Sequence, residues 1–388
     1  MSNITKTIHI DSRFPSVDML RHKAQKKIPR FAFEYVDGGC NNGINLRRNT
    51  SEIREVQLKP YYLRGFKDLD MSCEIFGQTY SAPFGMAPIG LQGLVWPRAT
   101  EILAQTAHDH QLPFILSTVA TADIESVSEI TEGKAWFQLY HPSESTLRDK
   151  LLERCEDAGL NTLVILSDVP TFGYRPKEIR NGLSIPPKMN ARNIFQIATH
   201  PHWALKTLQA GQPEFKTVKP YIPKGLSLRH LGLFMNKTFS GRLNDERVKE
   251  IRDKWKGNLV LKGVASAEDT EKAIKLGLDG VIASNHGGRQ LDHGPSTIST
   301  ITEIANAGRD KIKVMMDSGM RCGPDIASAI AKGAEFAFLG RAWMYGVAAM
   351  GEKGGDQVAS ILKTELMQVM QQVGCENVKD LPDHLINE

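Results

Sequence analysis

No stretch of this sequence approaches the roughly 20 consecutive apolar residues that a membrane-crossing helix needs. The opening run MSNITKTIHIDSRFPS has no apolar core of the kind that directs secretion. The five cysteines, Cys40, Cys73, Cys155, Cys322 and Cys375, are widely spaced and form no C-x-x-C pair, which argues against a zinc site and a disulfide framework. Lysine and arginine are scattered, and a net charge of +4 gives no basic stripe for nucleic acid. Low-complexity tracts are absent. These absences predict a cytoplasmic protein, soluble or at most peripheral on a membrane, with no bound metal and no nucleic-acid partner.

What is present is a beat. The 388 residues are 41% hydrophobic and 24% charged, enough apolar material for a large core. From about residue 81, short β-branched-rich runs alternate with longer amphipathic ones. The runs are PFGMAP (83–88), PFILST (113–118), AWFQLY (135–140), TLVILSD (162–168), NLVLKG (258–263), GVIASN (280–285), KVMMDSG (313–319) and FAFLGR (336–341). Between them RATEILAQTAHDH, SESTLRDKLLERCEDAG and SAEDTEKAIKLG carry apolar residues at i, i+3, i+4 spacing, and Gly159, Gly277 and Gly333 stand where helices should stop. Near-continuous apolar strands joined by helices imply a parallel sheet covered on both faces. Eight such strands predict a (β/α)8 TIM barrel, with a doubly wound open sheet as the alternative. The whole chain, 1–388, reads as one domain. It has a helical extension over 1–80, in which SVDMLRHKAQKKIPRFAFEYV is the clearest helical stretch, and a barrel over 81–350. An insertion over about 170–250 follows the fourth strand, and C-terminal helices span 351–388.

Active sites of such barrels form at the C-terminal ends of the strands. Those ends carry Pro88, Ile89 and Gly90; Ser117; Gln138 and Tyr140; Asp168; Lys262; Ser284, His286 and Arg289; Asp317, Gly319 and Arg321; Gly340 and Arg341. Every one offers a hydrogen-bonding, ionisable or glycine-exposed backbone group. MMDSGMRCG and FLGRA place glycines where backbone N–H groups can approach an anion, each followed by an arginine and a helix start, and together they read as a phosphate cradle. Lys262 closes an apolar strand as a lone cation, suited to stabilising an anion in the barrel mouth.

The motifs SNHGGRQLD, FQLY, APIGLQG, VLKGV and DSGMR closely resemble the FMN-dependent L-2-hydroxy-acid oxidase and dehydrogenase family, which includes glycolate oxidase, lactate oxidase, L-lactate dehydrogenase and mandelate dehydrogenase. The likeness runs from IPRFAFEYVDGG to the last helices. It implies FMN as cofactor and a small, lactate-like 2-hydroxy acid as substrate. By resemblance, Tyr35, Arg175 and Arg289 bind the substrate carboxylate, Tyr140 meets its hydroxyl, and His286 is the base, oriented by Asp168. Pro88, Ile89, Gly90, Ser117 and Gln138 surround the flavin ring, and Lys262 and Ser284 approach its polar edge. Asp317, Gly319, Arg321, Gly340 and Arg341 hold ribityl and phosphate. The chemistry calls for these residue types: a guanidinium grips a carboxylate bidentately, and a neutral imidazole is the best base near pH 7.

The chain also departs from its relatives. Ser318 replaces a glycine, an exchange expected to be tolerated at negative φ. Leu166 and Ser167 stand where threonine and valine are common, which leaves one flavin-ring hydrogen bond open. Val119 replaces a bulky aromatic, so the substrate pocket is expected to take more than a two-carbon acid. From Lys188 to Arg229 seven basic residues face one acid, Glu214, with Phe195, Trp203, Phe215 and Tyr221 among them. Such a loop is suited to anionic lipid and to placing the flavin near quinone, and THPHWALKTL resembles the insertion of the membrane-associated relatives. Electrons therefore pass to quinone or, if the chain is an oxidase, to O2 with release of H2O2. An FMN-dependent isomerase and a non-catalytic FMN-binding protein are readings from other classes. A homo-oligomer, a tetramer by resemblance, is expected.

Overall fold

The computed structural model describes residues 9–63, 65–183, 190–223, 238–239 and 241–386. All eight expected runs are strands. They are β3 (Phe84–Met86), β4 (Ile115–Ser117), β5 (Trp136–Leu139), β6 (Thr162–Leu166), β7 (Asn258–Val264), β8 (Gly280–Ala283), β9 (Lys313–Asp317) and β10 (Phe336–Leu339). Each pairs in parallel with its neighbour in the order β3-β10-β9-β8-β7-β6-β5-β4. A parallel bridge between Met86 and Phe114 joins the two ends, so the sheet closes on itself as a barrel. The open-sheet alternative is thereby excluded.

Alternation along the strands sorts the core into two layers. Ile115, Trp136, Val164, Val260, Ile282, Met315, Phe336 and Phe338 form the barrel interior. Their neighbours Leu116, Phe137, Leu163, Leu259, Val281, Val314 and Leu339 face outward under the helices. The extension is not helical throughout. Pro29 splits the expected long helix into Val17–Lys27 and Arg30–Asp37, because Ile28 before it is held extended at φ −116°, ψ 156°. After a third helix, Ile44–Ile53, the chain forms an antiparallel hairpin of β1 (Cys73–Ile75) and β2 (Gln78–Tyr80). Ile75, Phe76 and Tyr80 seal the N-terminal end of the barrel, with Phe76 5.5 Å from Trp136 and Tyr80 5.8 Å from Phe336, centroid to centroid.

The insertion between β6 and β7 carries helices Pro176–Arg180, Ala191–Ala198, Pro201–Ala210 and Asp245–Lys254. Of its basic residues, Lys188, Lys224 and Arg229 lie outside the described residues. Beyond the barrel, helix Gly354–Val373 and a 3-10 turn, Val378–His384, complete the described chain.

Candidate active site

The loop after β8 carries three consecutive left-handed residues, His286, Gly287 and Gly288, at φ +58°, +65° and +72°. This geometry is unfavourable for a histidine, so the surroundings must impose it. Asn285 is the clamp. Its side-chain amide donates to Asn49 (2.7 Å), Asn45 (3.1 Å) and the Pro295 carbonyl (2.9 Å), and its oxygen accepts from Asn49 (2.8 Å) and the Gly288 amide (3.1 Å). Asn45 and Asn49 are buried on helix Ile44–Ile53, so the extension holds the loop. Ser318 adds to this. It sits at φ +77°, outside the negative range in which a serine here was expected to be tolerated. Its hydroxyl offsets the strain by donating to Asp317 (2.7 Å) and accepting from the Gly287 amide (2.9 Å), a local bond that a glycine would lack.

Held this way, His286 Nδ1 lies 3.2 and 3.3 Å from the two carboxylate oxygens of Asp168 at the end of β6. Burial lowers the pKa of His286 against the opposing pull of Asp168. Burial alone would raise Asp168, but the hydrogen bond to His286 and the Lys262 charge hold it below the usual carboxylate range. The pair therefore rests as neutral imidazole beside carboxylate, and the pairing of Nδ1 leaves Nε2 as the working nitrogen. A bulge in β7 lets the two strands meet here. Gly263 adopts φ +100°, and a Cβ on it would stand 2.6 Å from the Asp168 Cβ.

Three groups for a carboxylate converge beside this pair. The Arg289 guanidinium lies 5.2 Å from the Tyr35 ring centroid, and its Nη1 donates to the Tyr35 carbonyl (2.8 Å) and the Gly38 carbonyl (3.2 Å). Arg175 donates to the Arg289 carbonyl (3.3 Å) and to Gln290 Oε1 (3.1 Å). Gln290 in turn donates to the carbonyls of Asp168 (3.2 Å) and Thr171 (3.0 Å), stitching the β6 and β8 loops together. The Tyr35 hydroxyl donates to the Gly90 carbonyl (3.0 Å). Tyr140, buried beside the Asp168 charge, is pushed up and stays a protonated donor.

The other end of the same cavity, about 660 Å³ in volume, is cationic. Arg341, buried next to Arg321, has its pKa pulled down to about 9 by burial and by that like charge. Its donors reach the carbonyls of Val36 (2.8 Å) and Gly38 (2.7 Å), and no carboxylate among the described residues forms an ion pair with it. Two crowded guanidiniums at the start of helix Arg341–Met350 fit a phosphate. Between the two ends Lys262 is buried and bridged to Asp317 at 2.9 Å; burial would discharge it, but Asp317 and Asp168 keep it cationic. The buried Gln138 Oε1 has no hydrogen-bond partner, as fits an acceptor awaiting a ring N–H. An anion site and a fixed lysine in one cavity, with an orphan acceptor on β5, fit FMN.

Most of the expected residues meet on this one cavity. Tyr35, Pro88, Ile89, Gly90, Tyr140, Arg175, Lys262, His286, Arg289, Asp317, Gly319, Arg321, Gly340 and Arg341 line it, as does Val119. Asp168, Ser117, Gln138 and Ser284 stand behind the wall. Ser284 does not face the cavity as expected; its hydroxyl accepts from Lys262 (2.8 Å) and from the His286 amide (3.1 Å), and so braces both. Ser167 turns its hydroxyl to the Lys262 carbonyl at 3.1 Å. Sequence reasoning gave no role to Asn45, Asn49, Asn285, Gln290 or Glu178. Only the cluster of polar residues after β8 hinted at the last loop's needs.

The profile of the family described as FMN-dependent dehydrogenase matches residues 24–388. An L-lactate dehydrogenase of Stenotrophomonas maltophilia (strain R551-3) is 35% identical over 369 residues, 95% of this chain and 97% of that one. The (S)-mandelate dehydrogenase of Pseudomonas putida is 34% identical over 375 residues, covering 96% and 94% of the two chains. Among solved structures, a monotopic membrane (S)-mandelate dehydrogenase superposes with a TM-score of 0.91 at 33% identity, over 97% of this chain and all of that one (100%). With a closed barrel, a cavity built for FMN and this match over nearly its full length, the chain belongs to the FMN-dependent dehydrogenase family.

Proposed function

We propose that this protein oxidises an L-2-hydroxy acid to the 2-oxo acid, using FMN, and passes the electrons to a quinone at a membrane surface. One observation carries the oxidation: the His286–Asp168 pair opens onto the same cavity as Arg289, Arg175 and Tyr35. The arginines grip the substrate carboxylate and Tyr140 donates to its hydroxyl. His286 Nε2 accepts a proton from the substrate, and Asp168 stabilises the imidazolium that forms. The role is the same whether that proton leaves carbon or oxygen. FMN, when bound, would supply the two-electron acceptor, and the buried Lys262 cation would offset negative charge gained there. Asn45, Asn49 and Asn285 hold the base in register. Anaerobic mixing with L-lactate and L-mandelate tests the reading. Loss of flavin colour is expected, and a flavin that neither acid nor any other L-2-hydroxy acid bleaches overturns it.

Membrane contact is supported by an inverted helix. In Ala191–Ala198 the buried residues are polar: Asn193 donates to the Asn181 carbonyl (2.9 Å), and Gln196 accepts from the Phe31 amide (3.0 Å). Ile194 and Phe195 are exposed, the latter by 69%, beside Leu205 and Leu208 of the neighbouring helix, with Arg192 and Lys206 also exposed. Apolar outside and polar inside suits lipid, with basic residues at the headgroups. Trp203 takes no part, contrary to the sequence reading. It is buried edge-on to Phe31, its Nε1 donating to the Val95 carbonyl at 3.0 Å. No described helix is long and apolar enough to cross the membrane. The contact is peripheral, on the cytoplasmic face. Sedimentation with anionic vesicles tests it: Phe195→Ser with Leu208→Ser should release the protein, and unchanged co-sedimentation refutes the contact. Reoxidation of the reduced flavin by quinone faster than by O2 is expected, and the reverse order makes the chain an oxidase. A homotetramer, implied by the family resemblance, is tested by mass in solution.

A further inference from the structure

We propose that Glu178 is the charge filter of the substrate site, fixing it to acids with a single carboxylate. The proposal rests on the reading that Arg175 and Arg289 bind the substrate carboxylate. Glu178 lines the cavity with a side chain only 12% exposed. Its Oε1 is 2.7 Å from Arg289 Nη2 and its Oε2 is 3.5 Å from Arg175 Nη1.

The carboxylate is not needed to place Arg289, whose Nη1 is already fixed by the Tyr35 and Gly38 carbonyls. Nor does it serve a core, because helix Pro176–Arg180, which carries it, has no buried residue. What it contributes is charge. Two guanidiniums less one carboxylate leave the clamp one positive charge, which a monocarboxylate neutralises. A second carboxylate on the substrate would meet Glu178 at close range, in a cavity lined as well by the apolar Val119, Ile179, Leu183 and Phe215. The other cations of the cavity offer no relief: Lys262 is paired to Asp317, and Arg321 and Arg341 stand at the phosphate end. Like charges a few ångströms apart in a partly desolvated cavity separate affinities by roughly tenfold or more.

The test uses the FMN-loaded protein and two redox-inert acids of equal chain length, butyrate and succinate, with binding read by calorimetry. The wild type should bind butyrate at least about tenfold more tightly than succinate. Glu178→Gln should narrow that ratio by about tenfold, while Glu178→Asp, which keeps the charge, should restore most of it. A merely structural role would weaken both ligands together and leave the ratio unmoved. A ratio unchanged in Glu178→Gln, an equal shift in both variants, or no preference in the wild type overturns the proposal. Failure of hydroxy acids to bleach the flavin is a separate result, which overturns the oxidation while the binding ratio still judges the filter.

Discussion

The two ends of the barrel are built from the same eight strands by opposite rules. At the N-terminal end Ile75, Phe76 and Tyr80 of the hairpin pack on Trp136 and Phe336, and the seal is apolar. At the C-terminal end, within three residues of the last strand positions, stand Asp168, Lys262, His286 and Asp317, all partly or wholly buried. Burying charge costs several kcal/mol per ion unless partners are supplied, so this end is tolerable only as linked pairs, His286 with Asp168 and Lys262 with Asp317. The N-terminal end contributes apolar packing, and the ionisable groups stand where the strands stop and loops can reach across. The difference teaches which residues can be exchanged for which effect.

The sharpest way to break the comparison is His286→Ala. It should keep the yellow colour and lower the rate of flavin bleaching by about 10²–10⁴-fold, with little change in melting temperature. An unchanged rate would remove His286 as the base. Trp136→Ala attacks the other end. It should cost about 3–5 kcal/mol in denaturant unfolding while the folded fraction bleaches at its normal rate. A selective loss of rate without a loss of stability would mean that the two ends are not separate. Asn49→Ala tests the clamp between them and should lower the bleaching rate by roughly tenfold through misplacement of His286. The smallest effect is in pH. Neutral His286 is the reactive form and burial lowers its pKa beneath the ordinary 6.5, so the rate should rise with pH, inflect below 6.5 and stay flat above. An inflection above that value would show that Asp168 outweighs burial.

Much of the site was legible because the strands are near-continuous apolar runs, so the residue at which each run stops marks the barrel mouth. That rule put His286, Asp168, Lys262 and Arg341 at the barrel mouth without coordinates, and they stand there. It failed where the partner decides. Ser284 stands at a strand end like the others, yet its hydroxyl is taken by Lys262 and the His286 amide. Ser318 was expected to be tolerated at negative φ, as residue type alone suggests, yet it is held at positive φ with hydrogen bonds to Asp317 and Gly287. Trp203 reads as an interfacial aromatic by composition and is a core residue by packing. The hairpin over residues 73–80 was missed because three-residue strands carry too little periodicity to register.

The sequence by itself determined the barrel and its reactive end, since hydrophobic period and the placement of ionisable groups at strand ends are local properties of the chain. Only the tertiary structure decided that Asn45 and Asn49, more than 230 positions before Asn285, clamp the loop after β8, and that Glu178 rests between two arginines. Hydrogen bonds and ion pairs depend on distance and direction in space, and those are fixed by packing of the whole fold rather than by any stretch of it.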